Sequence, residues 1–117
     1  MKTITNFLIV LTFVLTTSFT VEKPMQATKN VTEKFWVNGN CEMCHNRIQK
    51  AALSVKGVKY ATWDIETDML TVIYNPEKCT LDSIKKAIAD VGHDNDVYKA
   101  PDEIYNNLHS CCKYERK

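Results

Sequence analysis

Two cysteines, Cys41 and Cys44, lie three residues apart between a segment patterned as a strand and a segment patterned as a helix. Before them, Phe35 and Val37 alternate with residues predicted to face outward, which is the period of a β-strand. After them, apolar residues recur at the spacing of an amphipathic helix: Ile48, Ala51, Ala52 and Val55. The pattern therefore predicts Cys41 on the connecting loop and Cys44 in the first helical turn.

The rest of the chain repeats these two patterns in an order that defines a fold class. Alternation predicts strands over residues 59–65 and 70–74, with a turn between them, and a last short strand over 96–99. A second helix is predicted between a cap at Thr80 and Gly92, from the stripe Leu81, Ile84, Ile88 and Val91. The order predicts an α+β fold, a ferredoxin-like βαββαβ sandwich with both helices on one face of an antiparallel sheet.

The Cys41–Cys44 pair suits a soft metal ion. Backbone N–H groups at a helix N-terminus carry partial positive charge, which lowers the pKa of nearby thiols and favours thiolates. Thiolates select soft ions such as Cu(I), Hg(II) and Zn(II), and two ligands are fewer than a closed structural zinc site requires. We therefore predict Cu(I) first and Hg(II) second, with Zn(II) as a further candidate.

Three other interpretations of the same residues stay open at this point. With His45, the motif also spells C-x-x-C-H, the attachment pattern of c-type haem. C-x-x-C at a helix start is also the site of thiol–disulfide oxidoreductases. A structural disulfide between Cys41 and Cys44 is the third. Strand patterning around the motif disfavours haem, and the hairpin directly after the first helix disfavours a thioredoxin-like fold.

Length and charge exclude several classes of protein. The 117 residues suffice for one small domain, and 44% of them are hydrophobic. A formal net charge of +1 offers no basic surface for a phosphate backbone, so nucleic acid is not a predicted partner. No catalytic set or phosphate-cradling loop is recognisable, and the chain is not predicted to be an enzyme.

The N-terminal segment is patterned for export. Lys2 precedes an apolar run over residues 7–15, and the small residues that follow are typical of a signal peptidase site. We predict a signal peptide over residues 1–20 and a flexible linker over 21–32, and hence a periplasmic or cell-envelope protein. An uncleaved membrane anchor is the alternative, although the run is short for crossing a bilayer.

The segment from about Glu33 to Lys99 resembles the heavy-metal-associated domain family, which includes copper chaperones and a periplasmic mercury-binding protein. The resemblance lies in residues 38–44, 55–58, 72–76 and 84–92. It implies one domain over residues 33–100, a metal held by Cys41 and Cys44, and delivery to a metal-transporting membrane protein or another metallochaperone. Gly39 departs from the Met usual in the family, which puts loop rigidity in question. His93 lies where it could approach the metal.

The last segment, residues 101–117, lies outside the resemblance. A helix is predicted from Asp102 to Cys111, with Ile104, Tyr105 and Leu108 on one face. We expect this helix to cover the outer face of the sheet, where Trp36, Tyr60, Ile73 and Tyr98 are predicted to lie. It would start near Cys79, itself predicted to be a small core residue. Its far end would then carry His109, Cys111 and Cys112 toward Cys41 and Cys44 as additional metal ligands.

Overall fold

The computed structural model describes residues 18–22 and 29–117. Residues 1–17 of the predicted signal peptide and half of the predicted linker lie outside these ranges. The elements are β1 (Val31–Trp36), α1 (Glu42–Ser54), β2 (Val58–Asp64), β3 (Met69–Tyr74), α2 (Leu81–Asp90), α3 (Asp102–Asn106) and a 3-10 turn at Ser110–Cys112. Helices and strands through α2 follow the predicted order, so the α+β, ferredoxin-like fold class is confirmed.

The sheet is antiparallel, with β3 between β1 and β2. Leu70 on β3 pairs with Phe35 on β1 and with Trp63 on β2, and all three side chains are buried. The hairpin between β2 and β3 turns at Asp68, whose φ of 58° lies in the left-handed region. This turn accepts a 2.8 Å hydrogen bond from the Val37 N–H, which places the end of β1 beside the hairpin.

Both main helices cover one face of this sheet. Their buried residues join the inward residues of the strands in a single core that includes Phe35, Ile48, Ala52, Trp63, Leu70, Val72, Ile84 and Ile88. Thr80 caps α2 as predicted: its hydroxyl accepts a 3.1 Å hydrogen bond from the Ser83 N–H, and the Ser83 hydroxyl accepts from the Thr80 N–H. Gly92 follows α2 with a φ of +112°, the left-handed conformation typical of a helix end.

The predicted last strand over residues 96–99 is wrong. An isolated bridge between Val37 and Asn95 precedes the segment, which then turns back on itself. The Asn95 side-chain oxygen accepts hydrogen bonds from the N–H groups of Val97 and Tyr98, at 3.1 and 3.0 Å. An Asn side chain that accepts from the N–H groups two and three residues ahead stabilises a turn in competition with a strand ladder. The described sheet therefore has three strands.

No helix within residues 18–22 and 29–117 is long and apolar enough to cross a membrane.

Candidate metal centre

The Cys41–Cys44 loop has the predicted position. Cys41 is the N-cap of α1, with an extended backbone, and its carbonyl oxygen accepts a 3.0 Å hydrogen bond from the His45 N–H. Cys44 lies in the first turn and is fully buried, whereas Cys41 is half-buried. The two Sγ atoms are 3.5 Å apart. The pair can thus converge on one ion from the end of the helix.

Two thiols of the C-terminal segment join this loop. Cys111 Sγ lies 3.1 Å from Cys41 Sγ, and Cys112 Sγ lies 3.5 Å from it. Among the described residues, these three form the one group of three or more potential ligand atoms that lie within 4.8 Å of one another. Cys111 also contacts the Met43 thioether, with Sγ and Sδ 3.4 Å apart. All of these thiols are free. We refer to Cys41, Cys44, Cys111 and Cys112 as the thiol cluster.

The C-terminal segment reaches the cluster by a different path from the predicted one. Because the chain turns at Asn95, Ala100 returns beside Asp94 and its N–H donates a 2.7 Å hydrogen bond to the Asp94 carboxylate. The segment therefore starts near the cluster and not at the opposite end of the fold. Helix α3 spans five residues, Asp102–Asn106, so the predicted helix to Cys111 is wrong. A 3-10 turn carries Cys111 and Cys112 instead.

The prediction that this segment covers the outer face of the sheet is also wrong. Leu108 packs against Gly92, where a Cβ would meet its methyl carbon at 2.8 Å, and Ile104 is 39% exposed. Tyr98 does not line the outer face, since its hydroxyl donates 2.8 Å hydrogen bonds to Asp82 on α2. The outer face is touched at Trp36, by the Lys117 ammonium, 4.6 Å from its ring centroid. The segment thus packs on the loops that surround the cluster.

Tyr114 and Arg116 fix the segment in place. The Tyr114 hydroxyl donates a 2.6 Å hydrogen bond to the Gly92 carbonyl and accepts a 2.9 Å one from the Asp94 N–H. The Arg116 guanidinium forms a forked pair with the Asp94 carboxylate, at 2.9 and 2.8 Å. On the facing loop, the Asn38 side-chain amide donates to the Glu115 carbonyl at 2.9 Å. Sequence reasoning missed these anchors, because only their spatial neighbours give them a role.

The cluster contains thiols of very different acidity. Burial raises the pKa of Cys41, but hydrogen bonding with the Cys111 thiol and with the Cys44 backbone N–H outweighs it and lowers the value to about 7. Burial raises the pKa of Cys44 to about 12. A hydrogen bond to Cys41 raises the pKa of Cys111 to about 11. The low pKa of Cys41 agrees in direction with the expectation that the helix N-terminus acidifies both thiols, but the hydrogen bond with Cys111 contributes more than the helix N–H. At Cys44 the expectation is wrong, because burial dominates.

Trp63 occupies the space beneath the loop. Its ring carbons lie 3.0 Å from the position of a Cβ on Gly39, and its indole N–H donates a 3.0 Å hydrogen bond to the Val37 carbonyl. A Cβ at position 39 would therefore crowd the indole, which would have to shift by a few tenths of an ångström. The loop that lacks the usual Met is supported by Trp63 from β2.

The three histidines lie outside the three-thiol group. His93 is fully buried: its Nδ1 lies 2.9 Å from the Asn38 carbonyl, its ring stacks on Tyr114, and its Nε2 has no hydrogen-bond partner. His109 is exposed, and its carbonyl accepts from the Cys112 N–H at 2.8 Å. His45 lies 3.6 Å from Glu42. The role of His93 and His109 as additional ligands stays a prediction.

Cys79, the fifth thiol, lies away from the cluster. It is half-buried and packs against the core, and burial raises its pKa. Its Sγ faces the Asn75 carbonyl at 3.9 Å. The prediction that Cys79 is a small packing residue agrees with this position.

A two-layer α+β fold with a cysteine cluster at the start of its first helix is the structure of a small metal-binding domain. The chain belongs to the heavy-metal-associated domain family, which matches residues 34–94, more than half of its length.

Two relatives of this domain are copper proteins by name. A copper-exporting P-type ATPase of Staphylococcus saprophyticus is 36% identical over 76 residues, which cover 64% of this chain and 10% of the ATPase. The copper chaperone CopZ of Staphylococcus epidermidis is 33% identical over 55 residues, covering 47% of this chain and 81% of CopZ. The chain thus spans a tenth of the ATPase and most of the chaperone.

A solved structure supports the fold independently. The crystal structure of oxidised MerP from Ralstonia metallidurans is 28% identical, covers 61% of this chain and all of MerP, and has a TM-score of 0.56. The matched portion leaves about two-fifths of the present chain outside the comparison.

Proposed function

We propose that this protein binds Cu(I) through its thiol cluster and acts as a copper carrier or scavenger. The observation that carries the proposal is the convergence of Cys41, Cys111 and Cys112, with Cys44 3.5 Å from Cys41. Thiolate sulfur is the ligand that Cu(I) prefers, and Cu(I) accepts low coordination numbers. The copper chaperone and copper ATPase among the relatives support copper over mercury. Hg(II) and Zn(II) remain as competitors to be tested.

Thiols from the C-terminal segment favour retention over rapid transfer. A bound ion leaves one thiolate ligand only as another takes its place. The protein's own thiolates therefore compete with those of an acceptor, and each additional one within reach slows release. Cys112 is fully buried, and the segment that carries it is held by Tyr114 and Arg116. We therefore propose scavenging or storage as the main role, with handover to a metal-transporting membrane protein or another metallochaperone by ligand exchange.

Cu(I) titration against a chromophoric Cu(I) chelator tests the proposal. We expect Cys41→Ser/Cys44→Ser to lose at least about 100-fold in affinity, because a thiolate pair is removed from a thiolate-selective site. Cys79→Ser is the matched control, since it removes a thiol outside the cluster, and it should retain wild-type affinity. Equal affinity of the wild type and the double variant would overturn the proposal. Parallel titrations with Hg(II) and Zn(II) rank the ions.

A redox assay separates the carrier from the thiol–disulfide oxidoreductase. An oxidoreductase would catalyse reduction of insulin disulfides by dithiothreitol, whereas a carrier would not accelerate that reaction. Catalysis that depends on Cys41 would replace the proposed function.

An absorption spectrum of the protein from its natural source tests the haem alternative, because covalent haem produces a Soret band.

Export is a separate proposal that rests on residues 1–20. We propose that this segment directs the chain to the periplasm or cell envelope and is then removed. N-terminal sequencing of the protein from the envelope fraction tests it. Retention of Met1 in an envelope-bound protein would support the anchor alternative, and recovery from the cytosol would contradict export.

A further inference from the structure

The four thiols of the cluster are not equivalent in position, because Cys41 belongs to two ligand sets at once. With Cys44 it forms a pair, whose Sγ atoms are 3.5 Å apart. With Cys111 and Cys112 it forms a trio, at 3.1 and 3.5 Å from its own Sγ. Cys44 is not a member of the trio, whose sulfurs all lie within 4.8 Å of one another.

This arrangement does not suit one ion bound by all four thiols. Metal–thiolate bonds are about 2.3 Å long, so two sulfurs on the same ion lie at most about 4.6 Å apart. Cys44 lies beyond 4.8 Å of at least one trio member, since it is excluded from the group of mutually close ligand atoms. One ion can therefore use the pair or the trio, but not both sets as they stand.

Two ions can use both sets if Cys41 is shared. From the shared position of Cys41 we infer that the cluster binds two Cu(I) ions, one held by Cys41 and Cys44 and one by Cys41, Cys111 and Cys112, with the Cys41 thiolate bridging them. A thiolate sulfur has lone pairs for two metal bonds. Cu(I) is soft and accepts two or three sulfur ligands, whereas Zn(II) requires four.

Formation of the two-ion cluster involves proton release and no redox step. Each thiol that binds releases its proton to solvent, and the copper stays Cu(I), so no electron acceptor is needed. Two Cu(I) ions on four thiolates leave a net charge of minus two. The N-terminus of α1, whose N-cap is Cys41, adds partial positive charge at the bridging sulfur.

The inference rests on the proposed function, since it specifies the form in which the copper is carried. Its test is anaerobic Cu(I) titration of the reduced, full-length chain, with the number of ions per chain read by native mass spectrometry. We expect two ions on one chain in the wild type and in the Cys79→Ser control. Cys111→Ser, at an exposed position that should not disturb folding, is expected to hold one ion under the same competition, and so is Cys111→Ser/Cys112→Ser.

The outcomes separate this inference from the proposed function. One tightly bound ion in both wild type and Cys111→Ser would overturn the two-ion cluster and leave the copper carrier intact. Two ions shared by two chains would also overturn it. Absence of tight Cu(I) binding by the wild type would overturn both. Alkylation gives a second test, in which the copper-loaded wild type is unfolded and the modified thiols are counted. The two-ion cluster is supported if Cys79 reacts while all four thiols of the cluster are protected.

Discussion

The Arg116 guanidinium donates two hydrogen bonds to the Asp94 carboxylate, from Nε to Oδ2 at 2.9 Å and from Nη2 to Oδ1 at 2.8 Å. Asp94 lies in the loop after α2, and Arg116 lies next to the C-terminus. Burial raises the pKa of Asp94, but the Arg116 hydrogen bonds outweigh it and hold the pKa below its ordinary value. The pair therefore links the thiol-bearing segment to the metal-binding domain.

Arg116→Met should loosen that link. We expect the free energy of unfolding to fall by about 2 kcal/mol, because the largely buried Asp94 carboxylate loses a charged partner. Urea unfolding measures the loss. Lys86→Met, which removes a surface ion pair with Asp90, is the control and should cost less than about 0.5 kcal/mol. Equal losses in the two variants would show that Arg116 does not anchor the segment.

Stability should fall in mild acid because of His93. Burial lowers its pKa from 6.5 to about 4, so below pH 6.5 the unfolded chain binds a proton that the folded chain excludes. The stabilisation present above pH 6.5 is lost as the pH falls toward 4. We expect a loss of about 2 kcal/mol between pH 7 and pH 5, from urea unfolding at both values.

Two variants isolate the His93 contribution to this pH dependence. His93→Gln removes the titrating group, and its stability should change much less between pH 7 and pH 5. His109→Gln changes an exposed histidine and should lose as much as the wild type. If His93→Gln keeps the full pH dependence, another group is responsible.

Alkylation should select Cys41 from the cluster. With a pKa of about 7, Cys41 is half ionised at neutral pH, whereas the pKa values of Cys44 and Cys111 are about 12 and 11. We expect iodoacetamide to modify Cys41 first, with a rate that rises through pH 7, since the thiolate is the nucleophile. Peptide mass spectrometry of the metal-free, reduced protein identifies the modified residue.

A variant identifies what makes Cys41 acidic. In Cys111→Ala the midpoint of the rate profile should move upward from pH 7 toward the ordinary thiol value, because a hydrogen-bond donor is lost. Cys79→Ser should leave the profile unchanged. A wild-type midpoint near pH 9 would be incompatible with the hydrogen-bonded arrangement.

Gly39→Ala should destabilise the metal-binding loop. The added Cβ would lie 3.0 Å from Trp63 and 3.1 Å from the Cys44 Cβ, closer than ordinary contact. We expect the free energy of unfolding to fall by about 1–3 kcal/mol, together with weaker Cu(I) binding. Asn40→Ala, at the exposed neighbouring position, is the control for both measurements. Unchanged stability of Gly39→Ala would mean that the loop and the indole shift at little cost.

Local patterns were sufficient for the domain itself. Alternation at Phe35 and Leu70, the helical stripe through Ile48 and Ile84, and the cap at Thr80 all predict what the structure contains. These patterns succeed because a small domain must bury its apolar residues on one face of each element. The prediction failed at residues 96–99, where the Asn95 side chain stabilises a turn that apolar alternation does not reveal.

The thiol cluster also combines a part that the sequence predicts with a part that only the tertiary structure decides. The spacing of Cys41 and Cys44 at a helix start predicts by itself that two thiols lie close together, because three residues of chain leave little freedom, and their Sγ atoms are 3.5 Å apart. The amphipathic pattern of the C-terminal segment predicts Cys111 and Cys112 near them, but only the tertiary structure decides the path that brings these thiols to Cys41, about 70 residues away in sequence. The turn at Asn95 and the ion pair between Arg116 and Asp94 bring the two parts of the cluster together. Such contacts depend on the assembled core and not on any local sequence pattern.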